Sequence, residues 1–281
     1  MEALPKLGII AGGGAFPGHV VADCLAGGRP IFVLAFEGIT DSDTVTGAPH
    51  AWTRIGQSRR MFRLLRRHGV EEIVAVGTMR RMPVWRLRPD LMTILALLRL
   101  ILRFGIRLFR LGDDEILKII VTEFERYGPR VVGIETVMQD LLATQGPYGA
   151  LKPNRNDIRD IALGIDAARE VGARDVGQGA IVRDGQVLEV EDEEGTDAML
   201  ARCARHRRDK PSGVLIKVTK PGQQRKVDLP TIGVDTLKEA ERAGLAGIAV
   251  EAGGALVVDR AGVIEAADRA GLFVVGVEVD D

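Results

Sequence analysis

Short apolar runs alternate with helix-patterned segments from the first residues onward. That alternation restricts the fold more than any other feature of the chain. Leu7-Gly-Ile-Ile-Ala11 stops at Gly12-Gly13-Gly14, and a helical pattern from Phe16 to Ala26 follows, closed by Gly27-Gly28. Ile31–Phe36 is a second apolar run, Arg59–His68 a second helical pattern, and Ile73–Gly77 a third run. Asp113–Tyr127 is helical again and Arg130–Ile134 strand-like. Runs of four to eight apolar residues bounded by glycine read as buried strands, and strands alternating with helices favour a parallel sheet covered on both faces. A Rossmann-like parallel α/β domain is therefore expected over residues 1–148.

Gln145–Asn154 holds two Gly and two Pro without periodicity and reads as a linker. Beyond it the pattern changes. A helix over Asp157–Val171 precedes two β-like runs, Gly179–Val182 and Gln186–Val190, joined through Asp184-Gly185, a strong hairpin signal. Helical patterns follow at Gly195–Arg208, Asp235–Ala243 and Ala261–Ala270. Apolar runs alternate with them at Val214–Val218, Ile248–Val250, Ala255–Val258 and Leu272–Val277. An α+β domain over residues 149–281 is expected.

The net charge is −1, which argues against wholesale nucleic-acid binding, but the total conceals its distribution. Between Arg54 and Arg110 stand fourteen Arg, no Lys and three acids, a local +11. Such a segment should present a basic surface to something anionic. Its most apolar part, Leu91–Phe109, is interrupted by Arg99, Arg103 and Arg107, four residues apart and so on one helical face. Each arginine at a membrane-helix centre costs roughly 2.5–3.5 kcal/mol, which disfavours a spanning helix. Two readings stay open. The helix packs its apolar side in the core, or it touches a lipid surface or acyl chains. On the second, the three arginines meet anionic headgroups while Leu95, Leu98 and Ile101 face acyl chains or core. Aromatics are 4% of the chain, and no stacking platform or nucleic-acid motif appears.

Two cysteines, Cys24 and Cys203, without metal-type spacing exclude a disulfide scaffold. The first residues lack a basic region followed by an apolar one, so a cytoplasmic protein is expected. No Gly-x-Ser-x-Gly, His-Glu-x-x-His or Walker sequence occurs, which leaves serine hydrolases, zincins and P-loop kinases without their residues.

Five segments could carry chemistry. Gly12-Gly13-Gly14 before a helix suits a phosphate, because glycine lets the backbone approach and the helix start offers free N–H groups. Pro17 stands where a dinucleotide fingerprint needs its third glycine, although Glu37 falls where a ribose-binding acid belongs. Asp175-Val-Gly-Gln178 mixes flexible backbone with an amide. Glu191-Asp-Glu-Glu-Gly195-Thr196-Asp197 puts acids at a helix start. Gly195 and Thr196 offer donors to an anion, and Glu194 or Asp197 suits Mg²⁺. Lys217 to Asp228 gathers Lys217, Lys220, Arg225 and Lys226 ahead of one acid, a composition suited to phosphoryl chemistry. Gly112-Asp113-Asp114 is the weakest, since acids at a helix start also simply cap it.

Taken together, Leu7-Gly-Ile-Ile-Ala-Gly-Gly-Gly14, Asp175-Val-Gly-Gln178, Glu194-Gly-Thr-Asp-Ala-Met-Leu200, Lys220-Pro221, Val227-Asp-Leu-Pro-Thr-Ile-Gly233 and Gly271-Leu-Phe-Val274 keep their order over nearly the whole chain. They resemble the LpxI-type UDP-2,3-diacylglucosamine pyrophosphatases of lipid A biosynthesis. Lys226 stands where that pattern has Arg, which keeps the charge but not a bidentate fork. The resemblance implies Mg²⁺-dependent hydrolysis of UDP-2,3-diacylglucosamine to UMP and 2,3-diacylglucosamine 1-phosphate (lipid X). It implies water attack at the sugar-side phosphorus, two domains enclosing the substrate, and work at the inner-membrane surface. A homodimer is compatible with it. Asp228 is then the catalytic acid, holding Mg²⁺ or positioning water, with Glu194 and Asp197 as further metal candidates. Gly12, Gly13, Gly14, Gln178, Gly195 and Thr196 would contact UDP or its phosphates, and Lys217 and Lys220 would offset their charge. Two alternatives remain at this stage: an NAD-dependent oxidoreductase, and a non-catalytic lipid- or nucleotide-binding protein.

Overall fold

A computed structural model describes residues 4–78, 89–105, 113–220 and 229–279. The chain divides into two compact units, Met1–Met138 and Gln139–Asp281.

The first unit contains β1 (Leu7–Ala11), α1 (Phe16–Ala26), β2 (Ile31–Phe36), β3 (His50–Thr53), α2 (Ser58–Arg67), β4 (Glu72–Val76), α3 (Leu91–Phe104), α4 (Asp113–Arg126), β5 (Arg130–Val131) and α5 (Ile134–Val137). Its five strands form a parallel sheet in the order β3-β2-β1-β4-β5. This is the doubly wound arrangement expected from the alternation. Every residue of β1 and β2 is buried, as a central strand covered on both faces requires. The Arg130–Ile134 run is cut short, because pairing with β4 ends at Val131 and Ile134 opens α5. The short β3, with His50 and Trp52, lacks an apolar run and gave no sequence signal.

The glycine turn lies at the carboxyl end of β1, beside the end of β4. A Cβ on Gly12 would stand 2.7 Å from the Thr78 carbonyl oxygen and 2.9 Å from the Gly77 carbonyl carbon. Both are backbone atoms, so only glycine lets the two loops cross. Gly14 has φ +88°, yet a Cβ there would meet nothing within 4 Å.

Helix α3 begins where expected and ends at Phe104, capped by Gly105. Arg107 and Phe109 lie outside the described residues. None of its 14 residues is fully buried; Met92, Ala96 and Leu100 are half-buried, whereas Leu91, Leu95, Leu98 and Leu102 are exposed. No helix among the described residues is long and apolar enough to cross a membrane.

The second unit contains β6 (Gly146–Pro147), α6 (Arg155–Ala173), β7 (Gly179–Arg183), β8 (Gln186–Val190), α7 (Gly195–Ala204), β9 (Val214–Lys217), β10 (Thr231–Ile232), α8 (Val234–Arg242), β11 (Gly247–Glu251), β12 (Leu256–Val257), α9 (Arg260–Ala270) and β13 (Phe273–Val277). Six strands form a mixed sheet, β6-β13-β11-β9-β7-β8. The centre, β13-β11-β9, is parallel, and both flanks are antiparallel. Alternate side chains divide between two cores. Ile181, Leu215, Ile248 and Val274 meet Met199, Leu237 and Val263 of α7, α8 and α9. Ala180, Val182, Ile216 and Val275 meet Ile161 and Ala168 of α6. The period of two in the strands thus yields three layers.

The hairpin signal at Asp184-Gly185 is met. Both residues have positive φ, 52° and 74°, as a type I′ turn needs. The buried Asp160 carboxylate of α6 accepts both amide N–H groups, at 2.9 and 2.7 Å. Cys24 and Cys203 are buried and unbridged, and burial pushes both thiols up.

Candidate active site

In the second unit, several segments singled out in the sequence converge at the carboxyl ends of the parallel strands. Strand β9 ends at Lys217 and β11 at Glu251, side by side. Because β7 runs against β9, its first residue Gly179 lies opposite Lys217, which brings Gln178 to the same edge. The Glu191 amide donates to the Gly179 carbonyl, so the end of β8 and the start of α7 arrive there too. In sheets with parallel strands, this edge is where ligands bind.

Three side chains and one backbone amide form a connected network. Lys217 is 5% exposed, and its Nζ donates to Thr196 Oγ1 at 2.7 Å and lies 3.4 Å from the Thr231 carbonyl. The Thr196 hydroxyl donates to Glu191 Oε1. Glu191, 6% exposed, also accepts the Gln178 amide N–H at 2.8 Å through Oε2. A buried ammonium and a buried carboxylate are therefore joined through one hydroxyl. A charge pair in low dielectric needs such added hydrogen bonds to persist. The hydroxyl has one proton, and Glu191 takes it. Thr196 thus links Lys217 to Glu191.

Two further pairs flank the network. Lys220 Nζ pairs with Asp175 Oδ1 at 2.9 Å, both well shielded. The buried Glu251 accepts the Thr219 amide and hydroxyl at 2.7 and 2.6 Å. Gly195, with φ +84°, opens α7 beside Thr196. Cationic groups held at a strand edge beside a helix start suit a phosphorylated ligand, because both offset negative charge.

Other expected site residues are not part of this network. Glu194 Oε2 lies 3.2 Å from Arg202 Nη1, and Arg202 also holds Glu189 and Asp192. Asp197 is exposed on α7. A carboxylate bound to arginine is a poor partner for Mg²⁺, and no group of three His, Cys, Asp or Glu suited to a metal occurs among the described residues. Asp228, Arg225 and Lys226 lie outside the described residues, as do Gly112 and the side chains of Asp113 and Asp114.

Gly12, Gly13 and Gly14 belong to the first unit. The Gly12 amide donates to the Val76 carbonyl at 2.7 Å and that of Gly13 to the Thr78 carbonyl at 2.9 Å. The Gly14 amide donates to Asp41 Oδ2 at 3.2 Å, so a phosphate using that amide would have to displace a carboxylate. Glu37 is paired with Arg54 at 2.6 Å.

Sequence reasoning passed over Glu191, Thr219 and Glu251. Glu251 carried a usable signal, being a lone acid directly after the apolar run Gly247–Val250. Glu191 was masked by the three acids that follow it. Glu191→Gln keeps the shape but leaves one acceptor oxygen for two donors. A buried donor then loses its partner, and stability should fall by about 1–3 kcal/mol in urea denaturation.

The sequence model of the LpxI N-terminal domain matches residues 6–141, and that of the LpxI C-terminal domain matches residues 144–275. A relative from Caulobacter vibrioides, UDP-2,3-diacylglucosamine pyrophosphatase LpxI, is 43% identical over 279 residues, covering 97% of this chain and 98% of its own length.

Proposed function

The chain belongs to the LpxI family, and from that premise we propose that it hydrolyses the pyrophosphate of UDP-2,3-diacylglucosamine to UMP and lipid X. The full-length 43% identity to a protein of that activity carries the reading. The buried Lys217–Thr196–Glu191 network supports it, because pyrophosphate cleavage needs positive charge held where phosphate oxygens gain negative charge. A water oxygen bonds to the sugar-side phosphorus, the bridging P–O bond breaks, and UMP leaves. Lys217 and Lys220 offset charge on the phosphates. Gln178 and Gly195 line the same edge, and Gly12–Gly14 are the candidate UDP contact of the first unit.

Magnesium is part of the proposal. It would supply Lewis-acid stabilisation of the phosphate charge, with Asp228 as its leading ligand. The substrate is a lipid, so the enzyme is placed at the cytoplasmic surface of the inner membrane.

The test is UMP release from UDP-2,3-diacylglucosamine by the purified chain, with Mg²⁺ and with EDTA. UMP release that EDTA abolishes and Mg²⁺ restores is the expected result. Full activity in EDTA would remove the metal from the proposal, and near wild-type turnover by Asp228→Ala would remove that residue. In H₂¹⁸O the label should appear in lipid X, and label in UMP would place the attack on the other phosphorus.

A further inference from the structure

Resting on the reading that the substrate is a membrane-borne lipid, we propose that α2 and α3 form the surface by which this protein docks on an anionic lipid bilayer. Helix α3 is apolar on two opposite sides. Met92, Ala96 and Leu100 line an apolar cavity of about 170 Å³ together with Met61 of α2 and Phe124 of α4. Leu91, Leu95, Leu98 and Leu102 recur at helical spacing on the other side. All four are exposed, Leu102 at 86%. A helix with apolar residues on two sides belongs in a protein core or in lipid. This one is not in the core, since none of its residues is buried.

Its length decides how lipid is met. Fourteen residues at 1.5 Å each span about 21 Å, short of the roughly 30 Å hydrocarbon core. The helix therefore lies along the interface, with its leucine stripe in the acyl boundary.

Charge selects anionic lipid. Helix α2 carries Arg59, Arg60, Arg63, Arg66 and Arg67, all exposed, and α3 adds Arg99 and Arg103 beside the leucine stripe. Neither helix contains an acid. Arg99 lies 3.9 Å from Glu123 of α4, so the exposed arginines of α2 and Arg103 carry most of the charge offered to lipid. A second copy of the chain on this face would set arginine against arginine, whereas anionic headgroups complement it.

The two helices are also fixed to each other. The Asp90 carboxylate accepts the Thr93 amide at the start of α3 at 2.9 Å and the Arg59 amide at the start of α2 at 2.7 Å. Thr93 Oγ1 lies 2.8 Å from Ser58 Oγ and 2.6 Å from the Gly56 carbonyl. Burial alone would raise the Asp90 pKa, but the bonds from Thr93 and Arg59 outweigh it and hold it below the usual carboxylate range. The starts of the basic helix and of the helix that carries the apolar stripe are thus tied together.

The test is co-sedimentation with vesicles of phosphatidylcholine, with and without phosphatidylglycerol. Wild type should bind the anionic vesicles and release as NaCl is raised. Leu95→Gln/Leu98→Gln/Leu102→Gln should lower binding by about tenfold or more. Leu102→Gln alone, at the most exposed position, should lower it by about threefold. Arg63→Gln/Arg67→Gln/Arg103→Gln should lower binding to anionic vesicles by roughly tenfold to a hundredfold. UMP release from detergent-dispersed substrate should stay unchanged in all variants. Undiminished vesicle binding by both triple variants would overturn the proposal. So would a leucine triple that turns a dimer into a monomer while vesicle binding persists. Vesicle binding without UMP release by wild type would instead overturn the functional reading and leave the docking surface standing.

Discussion

Lys217→Met should lower kcat/KM for UMP release by about 10²–10³-fold, the usual cost of removing one preorganised charge stabiliser from a shielded site. Methionine is unbranched like lysine and one heavy atom shorter, and it lacks the charge and its donors. Lys217 is 5% exposed and its ammonium is held by Thr196 Oγ1 at 2.7 Å, so its position is set before any ligand arrives. That matters because fixed charge needs no reorganisation as the phosphate oxygens gain negative charge. Lys217→Arg should fail to restore activity, since the larger guanidinium must enter a buried space built for an ammonium. The same variant bears on the network. With the ammonium gone, the Glu191 carboxylate stays buried with only hydrogen bonds to balance it, so stability should fall as well. Separate measurement of kcat and KM on protein checked by thermal denaturation distinguishes the two effects. Turnover within about threefold of wild type in the folded variant would show that Lys217 does not face the phosphates.

Gly12→Val should destabilise the first unit by about 2–4 kcal/mol, read as a fall in its melting temperature of roughly 10 °C. A side chain at Gly12 meets the Gly77–Thr78 backbone at 2.7–2.9 Å, and backbone in a paired loop cannot step aside. The amides of Gly12 and Gly13 are already bonded to Val76 and Thr78, so displacing this loop also breaks those bonds. Gly14→Ala is the internal control. Its φ of +88° imposes strain worth about 1 kcal/mol, but no atom lies in the way. An ordering of Gly12→Val far above Gly14→Ala, measured by calorimetry, identifies a packing role for Gly12. A melting temperature for Gly12→Val within about 2 °C of wild type would contradict it.

Local signals were read correctly where local physics decides. Asp184-Gly185 announced its hairpin because few residue pairs accept positive φ twice in succession. Ile31–Phe36 announced a buried strand because six apolar residues in a row fit only a covered sheet. Arg130–Ile134 was overextended because pairing with β4, and not propensity, sets where β5 ends. Helix α3 was placed, but its surroundings were not. Leucine spacing is the same whether a face meets core or lipid, and only exposure separates the two.

The candidate site divides in the same way. Gln178, Thr196, Lys217 and Lys220 were legible as chemistry, since each stood beside glycine, proline or a charge cluster. Their grouping was not legible, and neither was Glu191. Residues 178, 191, 196 and 217 meet only because β7 runs against β9 and β8 returns beside β7. Glu194 and Asp197 looked like metal ligands in the sequence. In the folded unit Arg202 takes the first, and the second stands exposed.

The sequence by itself determined the alternating α/β architecture, the family and the residue types available for phosphoryl chemistry. Hydrophobic period, turn chemistry and motif order are all carried by neighbours along the chain. Only the tertiary structure decided which side chains Lys217, Thr196 and Glu191 meet, that Gly12 is held by packing, and that the leucine stripe of α3 is left exposed. Those outcomes depend on strand order and burial, which are set by contacts between residues far apart in sequence.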